Sequence, residues 1–185
     1  MSRRMTPVWV AVVVAVCPSL ALAQQSPMNP YPPPKPQASA PAGTAARGAQ
    51  LVMLGGCHDC HTPKLSTGGN DMSRALAGHP VDAPLAPEVV GGVSSNMFLT
   101  AWRGPWGLTL SRNITPDKET GIGSWTLPDF KKLMRTGVNP KGEVMRPPMP
   151  IAQFQNLPDK DFESIFAFLK TVKPVKNDVG RVAKK

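Results

Sequence analysis

Cysteine is scarce in this chain, and where it falls says more than how much there is. Three are present: Cys17 lies in an apolar N-terminal run, and Cys57 and Cys60 stand three residues apart. Once the apolar N-terminal run is set aside, Cys57 and Cys60 have no distant thiol to pair with, which excludes a disulfide framework linking remote segments. Acidic residues are also few, 12 against 21 Lys and Arg, for a formal net charge of +9. The basic surplus is scattered, apart from Arg181, Lys184 and Lys185 and pairs such as Lys131 and Lys132. No arginine-rich run and no basic-aromatic alternation points to nucleic acid. The charge reads as a solvated basic surface, with docking to an acidic protein partner as the sharper alternative. There is no internal repeat, and no apolar run reaches the ~20 residues of a membrane-spanning helix.

What is there begins with an export pattern. Arg3 and Arg4 precede an apolar stretch from Pro7 to Leu22, and Ala21-Leu22-Ala23 then precedes Gln24. Charged, apolar and small-residue regions in that order predict a signal peptide over residues 1–23, which carries Cys17 away with it. If the signal is cleaved no membrane span is expected; if it is retained it serves as an anchor. Residues 24–43, "QQSPMNPYPPPKPQASAPAG", cannot build a core and read as a disordered or polyproline-type tether. A folded domain is expected over 44–177, followed by a basic C-terminal tail at 178–185.

Three stretches carry helical periodicity. Thr44 to Gly55 places Ala45, Ala49, Val52 and Met53 on one stripe, and Gly55-Gly56 ends it. Thr126-Leu127-Pro128-Asp129 has the form of a capped helix start, with Phe130, Leu133 and Met134 on one face and Gly137 as the stop. Asn156-Leu157-Pro158-Asp159 repeats that start, and Phe162, Ile165, Phe166, Leu169 and Val172 follow until Pro174. The long stretch between the first two helices, Thr62 to Ser124, is rich in Gly and Pro. Within it, 84–92 allows a short strand or helix, and 95–102 a helical turn or two. So long a loop among three helices makes a poor protein-only core. The expected fold class is all-α, with the helices and long loops packed around a bound group.

That group is indicated by "GGCHDCHTPK". Cys57, Cys60 and His61 form C-x-x-C-H, the attachment sequence of c-type haem. On a helical turn the two thiols reach one edge of the porphyrin, and His61 follows as the proximal iron ligand. His58 reads as a spacer. A thioredoxin-like dithiol would want a preceding strand, and a Gly-Gly after an Ala-rich helix stands there instead. Zinc would want a further ligand, and outside this stretch only His79 remains. The reading adopted is one covalently attached haem c.

The second axial position separates a carrier from an enzyme. A methionine opposite histidine closes the site and suits electron transfer. "GEVMRPPMPIAQF" offers Met145 and Met149, and Met149 is favoured because prolines on both sides hold its loop extended. Met53, Met97 and Met134 read as packing residues, and His79 is the next ligand candidate.

With these stretches in order, the chain resembles the class I cytochrome c family. It is similar in particular to bacterial periplasmic cytochromes related to the cytochrome subunits of membrane dehydrogenases. The carrying segments are "GGCHDCHTPK", "RGPWGLTLSRNITPDKETGIGSWTLPDFKKLMRTGV" and "RPPMPIAQFQNLPDKDFESIFAFLKTVKPVKN". The resemblance implies thioethers at Cys57 and Cys60, His61 and Met149 as axial ligands, and Trp125 as donor to a haem propionate. Arg103 and Arg112 are further propionate candidates, though surface roles suit them better, and Asn113 and Thr115 are expected to fix a turn over the haem. It implies a periplasmic electron carrier between protein donors and acceptors, such as a membrane dehydrogenase or a terminal oxidase. The alternatives are a haem enzyme (a small peroxidase or sulfur-compound oxidase) and a fixed dehydrogenase subunit. The chain departs from those subunits, which carry three C-x-x-C-H units, in having one. The interval from His61 to Met149 is also long for a minimal domain, and the insertion around 76–104 is expected to serve as a surface.

Overall fold

The first and last long helices meet at a glycine. Helix α1 (Ala45–Leu54) starts at Thr44, whose side chain accepts from the Arg47 backbone N–H. It lies so close to α5 (Asp159–Leu169) that a Cβ on Gly48 would stand 1.9 Å from the Ser164 carbonyl oxygen. Gly43 N–H donates to the Ser164 hydroxyl at 2.7 Å, and Arg47 pairs with Asp161 at 3.2 Å. Helix α3 (Leu127–Thr136) completes the packing, with the full capping box between Thr126 and Asp129 and a left-handed Gly137 at its end. Between these helices Val52, Leu76, Ile122, Phe130, Met134, Phe162, Ile165 and Leu169 form one buried cluster. Phe130 meets Phe162 edge-on at 6.4 Å between ring centroids. Each fully buried side chain of this size contributes roughly 1.5–3 kcal/mol.

The structure, a computed structural model, describes residues 38–182, without the side chains of Arg181 and Val182. The signal expected at 1–23, residues 24–37 of the tether expected at 24–43, and the last three residues of the expected tail lie outside that range. Residues 38–43 run beside α1, where Gln50 accepts from Ala40 N–H and donates to the Ala38 carbonyl. The expected tail begins with a short helix, α6 (Val179–Val182), whose Val179 is buried.

The all-α expectation is corrected by the long middle stretch. It holds a three-stranded antiparallel sheet in the order β1 (Ser94–Ser95), β2 (Ala101–Gly104), β3 (Gly107–Leu110). Trp102 is opposite Thr109 and Gly104 opposite Gly107, and Ser94 is opposite Arg103. The fold is mixed, helical in its main core with a small sheet attached. The helical turn expected at 95–102 is instead a turn and strand: Asn96 Oδ1 accepts from the N–H groups of Thr100 and Ala101, and its amide donates to the Pro84 carbonyl. A second small cluster, Ala86, Ala101, Leu110 and Val179, backs the sheet. Two short helices remain. α2 (Cys57–His61) follows Gly56, and α4 (Ile151–Phe154) follows Pro150. Among the described residues, no helix is long and apolar enough to cross a membrane.

Candidate functional site

Helix α2 is a single turn that carries Cys57, His58, Asp59, Cys60 and His61. Gly56 precedes it with φ +63, a left-handed conformation that turns the chain sharply out of α1. Its carbonyl end is gathered by one ammonium group. Lys64 Nζ donates to the carbonyls of His58, Asp59 and Thr62 at 2.9–3.2 Å, and to Asn70 Oδ1 at 2.6 Å. A cation on the last carbonyls of a helix both satisfies orphan acceptors and complements the helix dipole.

The two thiols are half-buried and not joined to each other. Burial pushes the Cys57 thiol up to about 11, and burial with the nearby Asp59 carboxylate raises Cys60 as well. A thioredoxin-like dithiol would want the opposite shift. The zinc alternative loses its geometry: among the described residues, no three of His, Cys, Asp and Glu converge as a metal site.

His61 is positioned from across the chain. Its Nδ1 lies 2.7 Å from the Arg112 backbone carbonyl oxygen. A carbonyl only accepts, so Nδ1 carries the proton and Nε2 keeps its lone pair. Burial pushes the imidazole below its usual range, against the opposing pull of that carbonyl. Gly78 N–H donates to the His61 carbonyl, and Leu76 N–H to the Thr62 hydroxyl, so segment 76–78 lies against α2. His58 is held apart: its Nδ1 lies 2.9 Å from Thr62 Oγ1.

Cys57, Trp125, Ile151 and Phe154 all pack against the main cluster. A Cβ on Gly55 would stand 3.1 Å from the Phe154 ring, so α4 lies beside the α1–α2 junction. Met149 is half-buried two residues before Ile151, whose N–H donates to the Met149 carbonyl. Met145 is also half-buried, and its N–H is bonded to the Gly137 carbonyl at the end of α3. His79 is fully buried under the sheet region, with Nδ1 3.1 Å from Thr100 Oγ1. Arg103 pairs with Glu88 and Arg112 with Glu143. Asn113 accepts from the Thr115 N–H and hydroxyl and donates to the Val175 carbonyl, which ties that turn to the segment after α5.

Comparison with known proteins gives a family. A nicotinate dehydrogenase component from Pseudomonas putida is 31% identical over 137 residues, 74% of this chain and 9% of that protein. The cytochrome c subunit of the quinone alcohol dehydrogenase from Gluconobacter oxydans is 35% identical over 130 residues, 70% of this chain and 22% of that subunit. A diheme c-type cytochrome from Cereibacter sphaeroides is 28% identical over 132 residues, 71% of this chain and 37% of that protein. The chain belongs to the cytochrome c family. Within it, this cytochrome is related to the cytochrome subunits of dehydrogenases, although it spans less than a quarter of the length of the first relatives named. No protein-family model matches the chain.

Family membership implies covalently bound haem c and a role in electron transport, and the residues fit such a group. Two unpaired thiols share one helical turn, and the adjoining imidazole spends Nδ1 on a backbone carbonyl, which leaves Nε2 for a metal. Elsewhere, the buried Trp106 Nε1 and Thr109 Oγ1 have no protein partner. Sequence reasoning missed that pair, because an indole or hydroxyl declares itself unpartnered only once its neighbours are known.

Proposed function

We propose that this cytochrome is the electron-transferring cytochrome subunit of a membrane dehydrogenase on the periplasmic side. It would carry one haem c, attached through Cys57 and Cys60, with His61 and Met149 as the axial ligands. The relatives support the subunit reading, since the proteins matched include subunits of alcohol, fructose and gluconate dehydrogenases. The observation that carries the site is the bond from His61 Nδ1 to the Arg112 carbonyl, which leaves Nε2 unprotonated for a metal.

Each thiol would add across a carbon–carbon double bond of a vinyl group. Sulfur joins one carbon, its hydrogen moves to the other, and nothing is oxidised. When bound, haem c supplies a one-electron Fe(III)/Fe(II) couple. Met149 rather than Met145 would be the second iron ligand: it stands two residues before α4, whose Phe154 lies against Gly55 at the α1–α2 junction, whereas the Met145 backbone is tied to the end of α3.

Purification in mild detergent tests the assignment to a complex. Recovery with a dehydrogenase that reduces the haem on substrate addition supports it. Recovery only as a free soluble protein returns the chain to the independent-carrier reading. Met149→Ala should abolish the sulfur-to-iron charge-transfer band of the oxidised protein while Met145→Ala leaves it intact, and the reverse pattern would move the ligand to Met145.

A further inference from the structure

The face of the β2–β3 hairpin collects donors that have nothing to donate to. Residues 102, 104, 107 and 109 share one face, because Trp102 pairs with Thr109 and Gly104 with Gly107. The Trp106 ring folds back over that same face: a Cβ on Gly104 would fall 2.6 Å from its Cη2, so only glycine leaves room for the indole there. Trp106 Nε1 and Thr109 Oγ1 are both buried without a hydrogen-bond partner. The other tryptophan of this face is satisfied, since Trp102 Nε1 donates to the Leu99 carbonyl at 3.2 Å. Beside the turn, a Cβ on Gly107 would stand 3.9 Å from Arg146 Nη1. Among the described residues no carboxylate pairs with Arg146, which lies three residues before Met149.

An indole N–H, a hydroxyl and a guanidinium together suit an anionic oxygen acceptor, and the anionic groups of haem are its propionate carboxylates. Burying a polar group without a partner is unfavourable, so two on one face ask for a ligand that supplies acceptors. Resting on the haem reading above, we infer that Trp106 Nε1, Thr109 Oγ1 and Arg146 hold a haem propionate. This makes the hairpin a second clamp on the porphyrin, beyond the two thioethers and apart from Trp125. It also gives the β2–β3 hairpin a function, fixing the carboxylate edge of the cofactor. Thr109 and Trp106 bind through neutral donors, while Arg146 from the methionine loop adds the counter-charge.

The test uses the full chain produced with c-type haem attachment, as Trp106→Phe and Thr109→Val. Mass spectrometry first reads haem attachment. Resonance Raman then reads the propionate bending mode, whose frequency follows hydrogen bonding to the carboxylate and is indifferent to packing elsewhere. Expected is a shift of that mode to lower frequency in both variants, with haem attached and the iron-ligand bands unchanged. Should Trp106→Phe fail to fold, the nearly isosteric Thr109→Val decides alone. An unchanged propionate mode in haem-loaded Thr109→Val overturns the inference and leaves the haem reading intact. Absence of haem from the unaltered chain overturns the haem reading itself, and the inference with it.

Discussion

His61 Nδ1 and the Arg112 carbonyl oxygen stand 2.7 Å apart, so a segment 51 residues away in sequence sets the orientation of the imidazole. Arg112 is in turn followed by Asn113, whose buried side chain bonds Thr115, Thr120 and Val175. The His61 side of the site is therefore held by the turn at 113–120 and by the segment after α5. Asn113→Ala should cost about 2–3 kcal/mol, since it deletes several hydrogen bonds and leaves buried partners unmet. Denaturant unfolding measures it, and a loss under ~0.5 kcal/mol would show that the turn is held by other contacts.

Gly48→Ala tests the α1–α5 contact. Helix propensity alone favours alanine by up to ~1 kcal/mol. Against that, the new Cβ would meet the Ser164 carbonyl oxygen at 1.9 Å and Phe168 Cβ at 2.6 Å. Backbone cannot give way as a flexible side chain can, so the clash wins. A net destabilisation of about 2–3 kcal/mol is expected from thermal or denaturant unfolding.

The helices were legible in the sequence because their signals are local. Thr126 with Asp129, and Gly137 ten positions after Leu127, mark both ends of α3 without any tertiary information. Thr44 and Gly55 do the same for α1. The sheet was not legible. Its strands have two to four residues, too few for alternation to register, and the face turned away from its small core carries Gly104 and Gly107. What brings the strands together is long-range: Val179 near the other end of the chain shares their small core. The candidate site divides likewise. Cys57, Cys60 and His61 stand in one motif, whereas the Arg112 carbonyl is a backbone atom, which no side-chain pattern announces.

Lys64 offers a separate handle on the α2 turn. Its ammonium gathers three carbonyls and Asn70. Lys64→Met keeps much of the stem and removes the charge, so the expected loss is about 1–2 kcal/mol, read as a fall in Tm of roughly 4 °C. An unaltered Tm would mean that water replaces the ammonium without cost.

Acid should destabilise the protein in a defined window. The Thr120 hydroxyl and then its backbone N–H hold the Asp117 carboxyl below its usual range. Asp71 is lowered by its Ser73 and Arg74 bonds, and Asp129 by Thr126. Lowered folded values contribute stability that is present above the unfolded values and lost as pH falls through the folded ones. Unfolding curves should therefore change little between pH 5 and 7 on account of these groups and weaken below about pH 4. Asp117→Asn should flatten part of that decline; an identical acid profile in the variant would assign the decline to other carboxylates.

The central claim is that the α2 turn is a haem attachment site, and intact-mass spectrometry of the purified chain tests it most directly. The account predicts a gain of one haem, lost completely when Cys57 and Cys60 are both replaced by alanine. No gain, a gain of two haems, or a haem that remains covalently attached without both cysteines would contradict it.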